Sequence, residues 1–229
     1  MRLITAADEE LFGLVSAAAK LGKADPLLAR LAADHRADPD HPEPAFRYAL
    51  AMMAALPGVG LDIALDAHAR FTVTVEAFGR VLALAPDHWL ARYSRARLQA
   101  LVPGAYGAVT ATEVTGQFDA REDLDYLLDR QRGLPPQPYF ASTYALAVVV
   151  DRLLDHHDPA RRAAQFAALA GCPRLPVRLP KLGAVLCEPL VALYHTCTGA
   201  ERETVGELMS VLYGHQPAVV NARYDQPVR

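Results

Sequence analysis

Apolar residues along this chain fall in segments of helical length, and proline, glycine or acidic residues separate each segment from the next. No segment shows a sustained alternation of apolar and polar positions, which is the pattern of a half-buried strand. Prolines stand at most of the segment boundaries, where their missing backbone N–H costs a helix least. The pattern therefore predicts an all-α protein.

Breakers and capping residues set the boundaries of the predicted helices. Thr5 and Asp8 are expected to cap the first helix, Asp25 to cap the second and Asp158 to cap a later one. Thr198 is expected to form a reciprocal capping pair with Glu201. The predicted helices cover about residues 6–20, 26–35, 44–56, 61–84, 87–102, a return helix ending near 132, 139–154, 159–170, 181–197 and 201–212. Turns are expected at 57–60 and 103–104, an extended segment at 175–180, and a frayed tail after residue 216.

One helix opening recurs three times, around Tyr48, Tyr93 and Tyr144, which are 45 and 51 residues apart. Each tyrosine follows an arginine or a threonine, precedes an alanine or a serine, and has a proline within the seven residues before it. A unit repeated at such a period is typical of stacked helical hairpins, in which each hairpin buries its apolar face against its neighbours.

Residues 78–98 resemble the junction between two tetratricopeptide repeats. Phe78 and Pro86 stand eight residues apart, as the aromatic residue and the proline do late in that repeat, and Ala91 and Ala96 match small residues of the next repeat. Large apolar positions of the family are occupied here by Arg92, Arg95 and Gln99. The period is also longer than the family's roughly 34 residues. The resemblance implies a right-handed α-solenoid of stacked antiparallel helix pairs with a concave groove.

The breakers also suggest how the chain is organised. Residues 1–38 are predicted to form an N-terminal helical hairpin, and a linker rich in proline and aspartate follows it. Residues 44–171 are predicted to hold three irregular helix pairs, and residues 181–216 a C-terminal pair. All of these are expected to form one continuous domain.

Composition excludes some function classes. The formal net charge is −3, and only three of the 23 basic residues are lysine, so nucleic-acid binding is not expected. The arginine and alanine bias suggests a bacterial genome of high GC content. Acidic residues at 8–10 interrupt any signal-peptide core, no apolar run is long enough to span a membrane, and the three cysteines lack paired spacing. A cytoplasmic protein without membrane attachment is therefore expected.

The candidate partner-binding residues lie at the repeated helix openings. Tyrosine offers rigid contact area, and the arginine guanidinium matches carboxylates in a bidentate geometry. The alternative is that the tyrosines pack between hairpins and that the arginines form a solvated face. The residues predicted to bind a partner are Arg47, Tyr48, Arg92, Tyr93, Arg97 and Tyr144.

No catalytic residue, metal site or cofactor is predicted. His156 and His157 suit a helix C-terminus, and Cys187 and His195 lack the spacing of a metal motif. Residues 122–125 are superficially similar to the metal-binding aspartates of terpene cyclases, but an exposed charged helix face is the simpler interpretation.

The leading hypothesis is a non-catalytic adaptor or accessory subunit that binds a protein or peptide along a concave helical groove. The alternative is a helical enzyme or small-molecule-binding protein with a pocket near Arg178, Cys187 and His195. A third hypothesis is homo-oligomerisation through exposed apolar terminal helices.

Overall fold

The computed structural model describes residues 1–56, 64–105, 111–156 and 158–214, and within the helices it omits the side chains of 64–68, 102–105 and 111–118. These residues form ten α-helices and no strand, which confirms the all-α prediction for this part of the chain. An isolated parallel bridge joins Arg2 to His88. The helices are α1 Ala6–Lys20, α2 Asp25–Ala37, α3 Pro42–Ala54, α4 Ala64–Leu84, α5 Trp89–Ala105, α6 Ala111–Gln131, α7 Phe140–Leu153, α8 Pro159–Ala170, α9 Gly183–Thr196 and α10 Gly199–Tyr213.

Three of the local predictions are wrong. Helix α5 continues through Pro103 and Gly104 to Ala105, where a turn was expected. A proline inside a helix removes the hydrogen bond to the carbonyl four residues before it, and it can kink the helix without ending it. At the start of α10, Thr198 is the N-cap but its side chain makes no capping hydrogen bond. The third concerns Asp25, a predicted cap that lies inside α2, whose N-cap Ala24 makes no side-chain capping hydrogen bond.

The caps at Thr5 and Asp158 are confirmed. The hydroxyl of Thr5 accepts a hydrogen bond from the Asp8 amide, and the Asp8 carboxylate accepts one from the Thr5 amide, which together form a capping box. Asp158 accepts hydrogen bonds from two backbone amides at the start of α8. The predicted turn at 57–60, His157 and the tail after 216 lie outside the described residues.

The contacts divide the chain into two compact units, Met1–Asp123 and Leu124–Arg229. In the first unit α3 packs against α1, α2 and α4, and α4 packs against α5. Its largest fully buried side chains include Phe46, Phe78 and Trp89. The predicted single continuous domain and its internal boundaries stay predictions.

In the second unit α7 packs against both α8 and α9, and α9 packs against α10. Eleven of the 14 residues of α7 are buried. The hydroxyls of Ser142 on α7 and Tyr213 on α10 are 2.8 Å apart and hydrogen-bonded. None of the described helices combines the length and the apolar character needed to cross a membrane.

Candidate functional site

A polar cavity of about 410 Å³ lies in the second unit, where the C-terminal end of α7 meets the start of α8. Its volume is near the lower end of the range for small-molecule pockets. The residues that line it are Val148, Asp151, Arg152, His156, Asp158, Pro159, Arg162 and Gln165.

Helix geometry brings these side chains together. Val148, Asp151 and Arg152 are separated by three and four residues along α7, which places them on one helix face. On α8, Arg162 and Gln165 follow one face in the same way. Because α7 and α8 pack against each other, the two faces border the same cavity.

The inner wall of the cavity is built around Asp151, which is only 7% exposed. Its Oδ2 accepts hydrogen bonds from Arg161 Nε at 2.6 Å and from Gln165 Nε2 at 2.9 Å. Arg161 also donates to Asp125 at 2.6 Å. Burial opposes the charge of Arg161, but the hydrogen bonds to Asp151 and Asp125 outweigh it and raise the pKa of this guanidinium.

The orientation of the Gln165 amide follows from its hydrogen bond to Asp151. A carboxylate accepts hydrogen bonds, so the nitrogen of the amide must face Asp151 and the oxygen must point elsewhere. Gln165 is 5% exposed, and its Oε1 is buried and accepts no hydrogen bond from any residue that the structure describes. A buried acceptor without a hydrogen bond lowers the stability of the fold by about 1–3 kcal/mol unless a ligand or a water molecule donates to it.

Three basic side chains stand at the more exposed edge of the cavity. Arg152 and His156 are exposed, and Arg162 keeps 42% of its side-chain surface exposed. Arg162 donates to Glu201 at 2.6 Å, and its guanidinium lies 5.0 Å from the centre of the Phe166 ring. Asp158 is also at this edge, where hydrogen bonds from the α8 backbone lower the pKa of its carboxyl group.

Glu201 therefore has a different partner from the one predicted. The sequence paired it with Thr198 in a capping box, whereas the structure pairs it with Arg162 on α8. Arg162 donates to both oxygens of Glu201, whereas a capping box would offer this carboxylate a single backbone donor.

Arg92, a predicted partner-binding residue, forms an ion pair inside the first unit. Its Nη1 lies 2.6 Å from Asp123, and Arg95 makes two further hydrogen bonds to the same carboxylate at 2.7 Å. The Asp123 side chain is 1% exposed, so the expected exposed acidic face is wrong at this position. Glu122 and Asp125 are exposed, as expected.

The three repeated tyrosines differ in burial. Tyr93 is completely buried and stacks on Trp89, with the ring centroids 4.9 Å apart, which favours the packing interpretation for this residue. Tyr48 is half-buried and stacks on His35 at 6.2 Å. Tyr144 is half-buried, and desolvation raises the pKa of its phenol.

The predicted arginines differ from one another as well. Arg47 on α3 is exposed, and Arg97 on α5 is half-buried. Neither these placements nor those of the tyrosines test whether a partner binds there. Recognition by the helix openings therefore stays a prediction.

The alternative hypothesis placed a pocket near Arg178, Cys187 and His195, and none of these residues lines the cavity between α7 and α8. A second, more open pocket of about 510 Å³ lies on α9 and α10, and Tyr194, the neighbour of His195, is among the residues that line it. Cys187 is buried on α9, and burial raises the pKa of its thiol to about 12, whereas His195 and Arg178 are exposed. The four-residue spacing of Asp158 and Arg162, with Gln165 three residues further, was the sequence signal for the cavity between α7 and α8. Among the described residues, no group of three or more histidine, cysteine, aspartate or glutamate side chains is placed to hold a metal ion.

Comparison of the chain with protein-family models, with curated proteins and with solved structures finds no match in any of the three. The tetratricopeptide resemblance of residues 78–98 therefore stays a sequence-based prediction. Support for a function comes from the chain's own residues, above all those around the cavity.

Proposed function

We propose that the protein is a non-catalytic binding protein whose second unit holds a small polar ligand in the cavity between α7 and α8. The observation that carries this proposal is Gln165, a buried side chain that lines the cavity and whose Oε1 has no hydrogen-bond donor among the described residues. Buried acceptors are almost always hydrogen-bonded in folded proteins, so a ligand donor at this position relieves a real energetic cost.

The surroundings of Gln165 also support a ligand site. Small-molecule sites are concave and hold a few convergent polar groups on an otherwise packed framework. Here Val148 supplies an apolar surface, and Arg152 and Arg162 approach from two different helices. The buried hydrogen bond to Asp151 holds the Gln165 amide in one orientation before any ligand arrives.

The state of the titratable groups suits binding better than chemistry. Asp151 is held in an ion pair with Arg161, and Asp158 caps α8. The thiols of Cys172 and Cys187 have pKa values raised by burial to about 11 and about 12. A thiol with such a pKa stays protonated at neutral pH and is a poor nucleophile.

The proposal is tested by screening a library of small polar compounds against the full chain with ligand-observed NMR. Compounds that bind the wild-type protein should lose binding in Gln165→Met, which keeps the side-chain length but removes both amide atoms. Gln137→Met is the matched control, because Gln137 lies before α7 and does not line the cavity. If no compound distinguishes Gln165→Met from Gln137→Met, the cavity is not the binding site.

The second candidate is the adaptor hypothesis, in which a right-handed tetratricopeptide-like solenoid binds a protein or peptide. Contacts between alternate helices, α1 with α3 and α7 with α9, support a repeating stack within each unit. The exposed Arg47 beside the half-buried Tyr48 supports a recognition surface on α3. Three free cysteines are in keeping with a reducing bacterial cytoplasm as the compartment.

The adaptor hypothesis is tested by copurification from the native host, followed by mass spectrometry. A stoichiometric protein partner whose affinity falls in Arg47→Ala supports it. A partner that binds Arg47→Ala and Arg97→Ala as tightly as the wild type excludes the predicted helix-opening surface. Gel filtration of the purified chain separates this hypothesis from homo-oligomerisation.

A further inference from the structure

Burial differs between the polar groups of the cavity, because Asp151 and Gln165 on its inner wall are buried, whereas its two arginines and Asp158 are more exposed. Asp151 and Gln165 are at most 7% exposed, whereas Arg152 is exposed and Arg162 is partly exposed. We call the buried pair the floor and the two arginines the mouth. A ligand that matches this arrangement carries a hydrogen-bond donor at its inner end and a negative charge at its outer end.

The charge balance near the floor indicates what kind of donor fits there. Arg161 is shared between Asp151 and Asp125, at 2.6 Å from each, so two carboxylates surround one guanidinium. The Gln165 carbonyl oxygen, which points away from Asp151, adds the negative end of a dipole to the inner wall of the cavity. A cationic donor gains more from these groups than a neutral hydroxyl or amide, because charged donors form the stronger hydrogen bonds.

The mouth indicates the type of anion. Two guanidinium groups border it, and arginine favours planar oxyanions that it can bind in a bidentate geometry. Glu201 already takes two hydrogen bonds from Arg162, and the ionised Asp158 also stands at the mouth. These two carboxylates disfavour a doubly charged group such as a phosphate monoester. A monoanionic carboxylate is therefore the better match.

We infer that the cavity binds a small zwitterion, with a primary ammonium donating to Gln165 Oε1 at the floor and a carboxylate held by Arg152 and Arg162 at the mouth. This inference rests on the proposed function, and it names the chemical class of the ligand. The class includes free amino acids and short ω-amino carboxylates.

The test is a calorimetric titration of the full chain with ω-amino carboxylates from glycine to 6-aminohexanoate. Each probe is compared with the simple carboxylate and the simple amine of the same carbon count. The best zwitterion should bind at least about tenfold more tightly than either matched analogue, since each charged end adds its own interaction. An aminoalkyl phosphate of the same length should bind more weakly than that zwitterion.

Two variants assign the two ends of the ligand. Arg152→Gln should weaken the binding of the zwitterion and of the carboxylate by about fivefold to tenfold while leaving the amine unaffected. Gln165→Met should weaken the zwitterion and the amine instead. Arg178→Gln is the matched control, because Arg178 is exposed in the same unit and does not line the cavity. Arg152 is exposed, so its variant remains informative even where Gln165→Met lowers stability.

The possible outcomes distinguish an error in the ligand class from an error in the binding site. If a simple carboxylate, a simple amine or an aminoalkyl phosphate binds as tightly as the best zwitterion, and binding still depends on Gln165, the zwitterion inference is overturned and the cavity remains a ligand site. If no zwitterion binds but a library compound binds and its binding depends on Gln165, the zwitterion inference is likewise overturned and the cavity remains a ligand site. If neither zwitterions nor library compounds depend on Gln165, the proposed function fails together with the inference.

Discussion

The imidazole of His88 lies against the phenyl ring of Phe46, with the two ring centroids 4.0 Å apart and the planes inclined by 37°. His88 is 2% exposed, and its Nδ1 accepts a hydrogen bond from the Ala91 amide at the start of α5. Desolvation and the nearby Arg2 guanidinium lower the pKa of this imidazole to about 3, although Asp8 acts in the opposite direction. The folded protein therefore holds His88 neutral.

Acid should destabilise the protein through His88. The unfolded chain binds a proton at His88 near pH 6.5, whereas the folded chain does so only near pH 3. Stability from this residue is thus fully present above pH 6.5 and falls by up to about 1.4 kcal/mol per pH unit below it. Urea unfolding at pH 7.5 and pH 5 measures the loss. His88→Gln should lose less stability over that interval than the control His195→Gln, in which an exposed histidine is replaced.

Removing the charge of Asp123 should destabilise the first unit strongly. Arg92 and Arg95 both donate to this carboxylate, and their side chains are only 13% and 26% exposed. Asp123→Asn leaves two partly buried guanidiniums without their counter-charge, which costs about 3 kcal/mol for a buried pair. Asp129→Asn is the control, because Asp129 pairs with Arg132 at an exposed site and should cost no more than about 1 kcal/mol. Equal unfolding midpoints for the two variants would contradict the structure.

Tyr93 and Tyr48 should respond differently to truncation even though they share a sequence motif. Tyr93 is completely buried against Trp89, so Tyr93→Ala should cost about 3–5 kcal/mol, in the range of large core deletions. Tyr48 is half-buried, so Tyr48→Ala should cost clearly less. Thermal unfolding of both variants measures the difference. If Tyr93→Ala lowers the stability only slightly, the packing interpretation fails and Tyr93 is again a candidate partner-binding residue.

The two threonine caps provide a further comparison. Thr5→Ala removes the hydroxyl that accepts from the Asp8 amide and should cost about 1 kcal/mol. Thr198→Ala should change stability by less than about 0.5 kcal/mol, because the Thr198 side chain makes no capping bond. Denaturant unfolding of both variants gives the two values. A loss of about 1 kcal/mol at Thr198 would support the capping box that the sequence predicted.

Local chemistry explains why much of the helix pattern was predictable. The caps at Thr5 and Asp158 join groups within three residues of each other, so neighbouring sequence suffices to recognise them. Pro103 misled the prediction because proline often ends a helix, whereas α5 continues past this residue to Ala105.

The candidate site depended on contacts between distant residues. Arg92 and Asp123 are 31 residues apart, and only the packed fold shows that this arginine already has a buried partner. The spacing of Asp158, Arg162 and Gln165 is visible in the sequence, but the same spacing also describes an ordinary solvated face. Sequence reasoning therefore placed the sites on the repeated helix openings and missed the cavity.

The sequence by itself determined that the described chain is helical and where most of its helices begin and end, because helix periodicity, proline and capping groups act over a few residues. Only the tertiary structure decided which polar residues are buried, that Glu201 pairs with Arg162 instead of Thr198, and that Gln165 faces a cavity beside Asp151. Those outcomes depend on which helices pack together. The free energy of burying a charge or an amide is set by its neighbours in space, which local sequence does not specify.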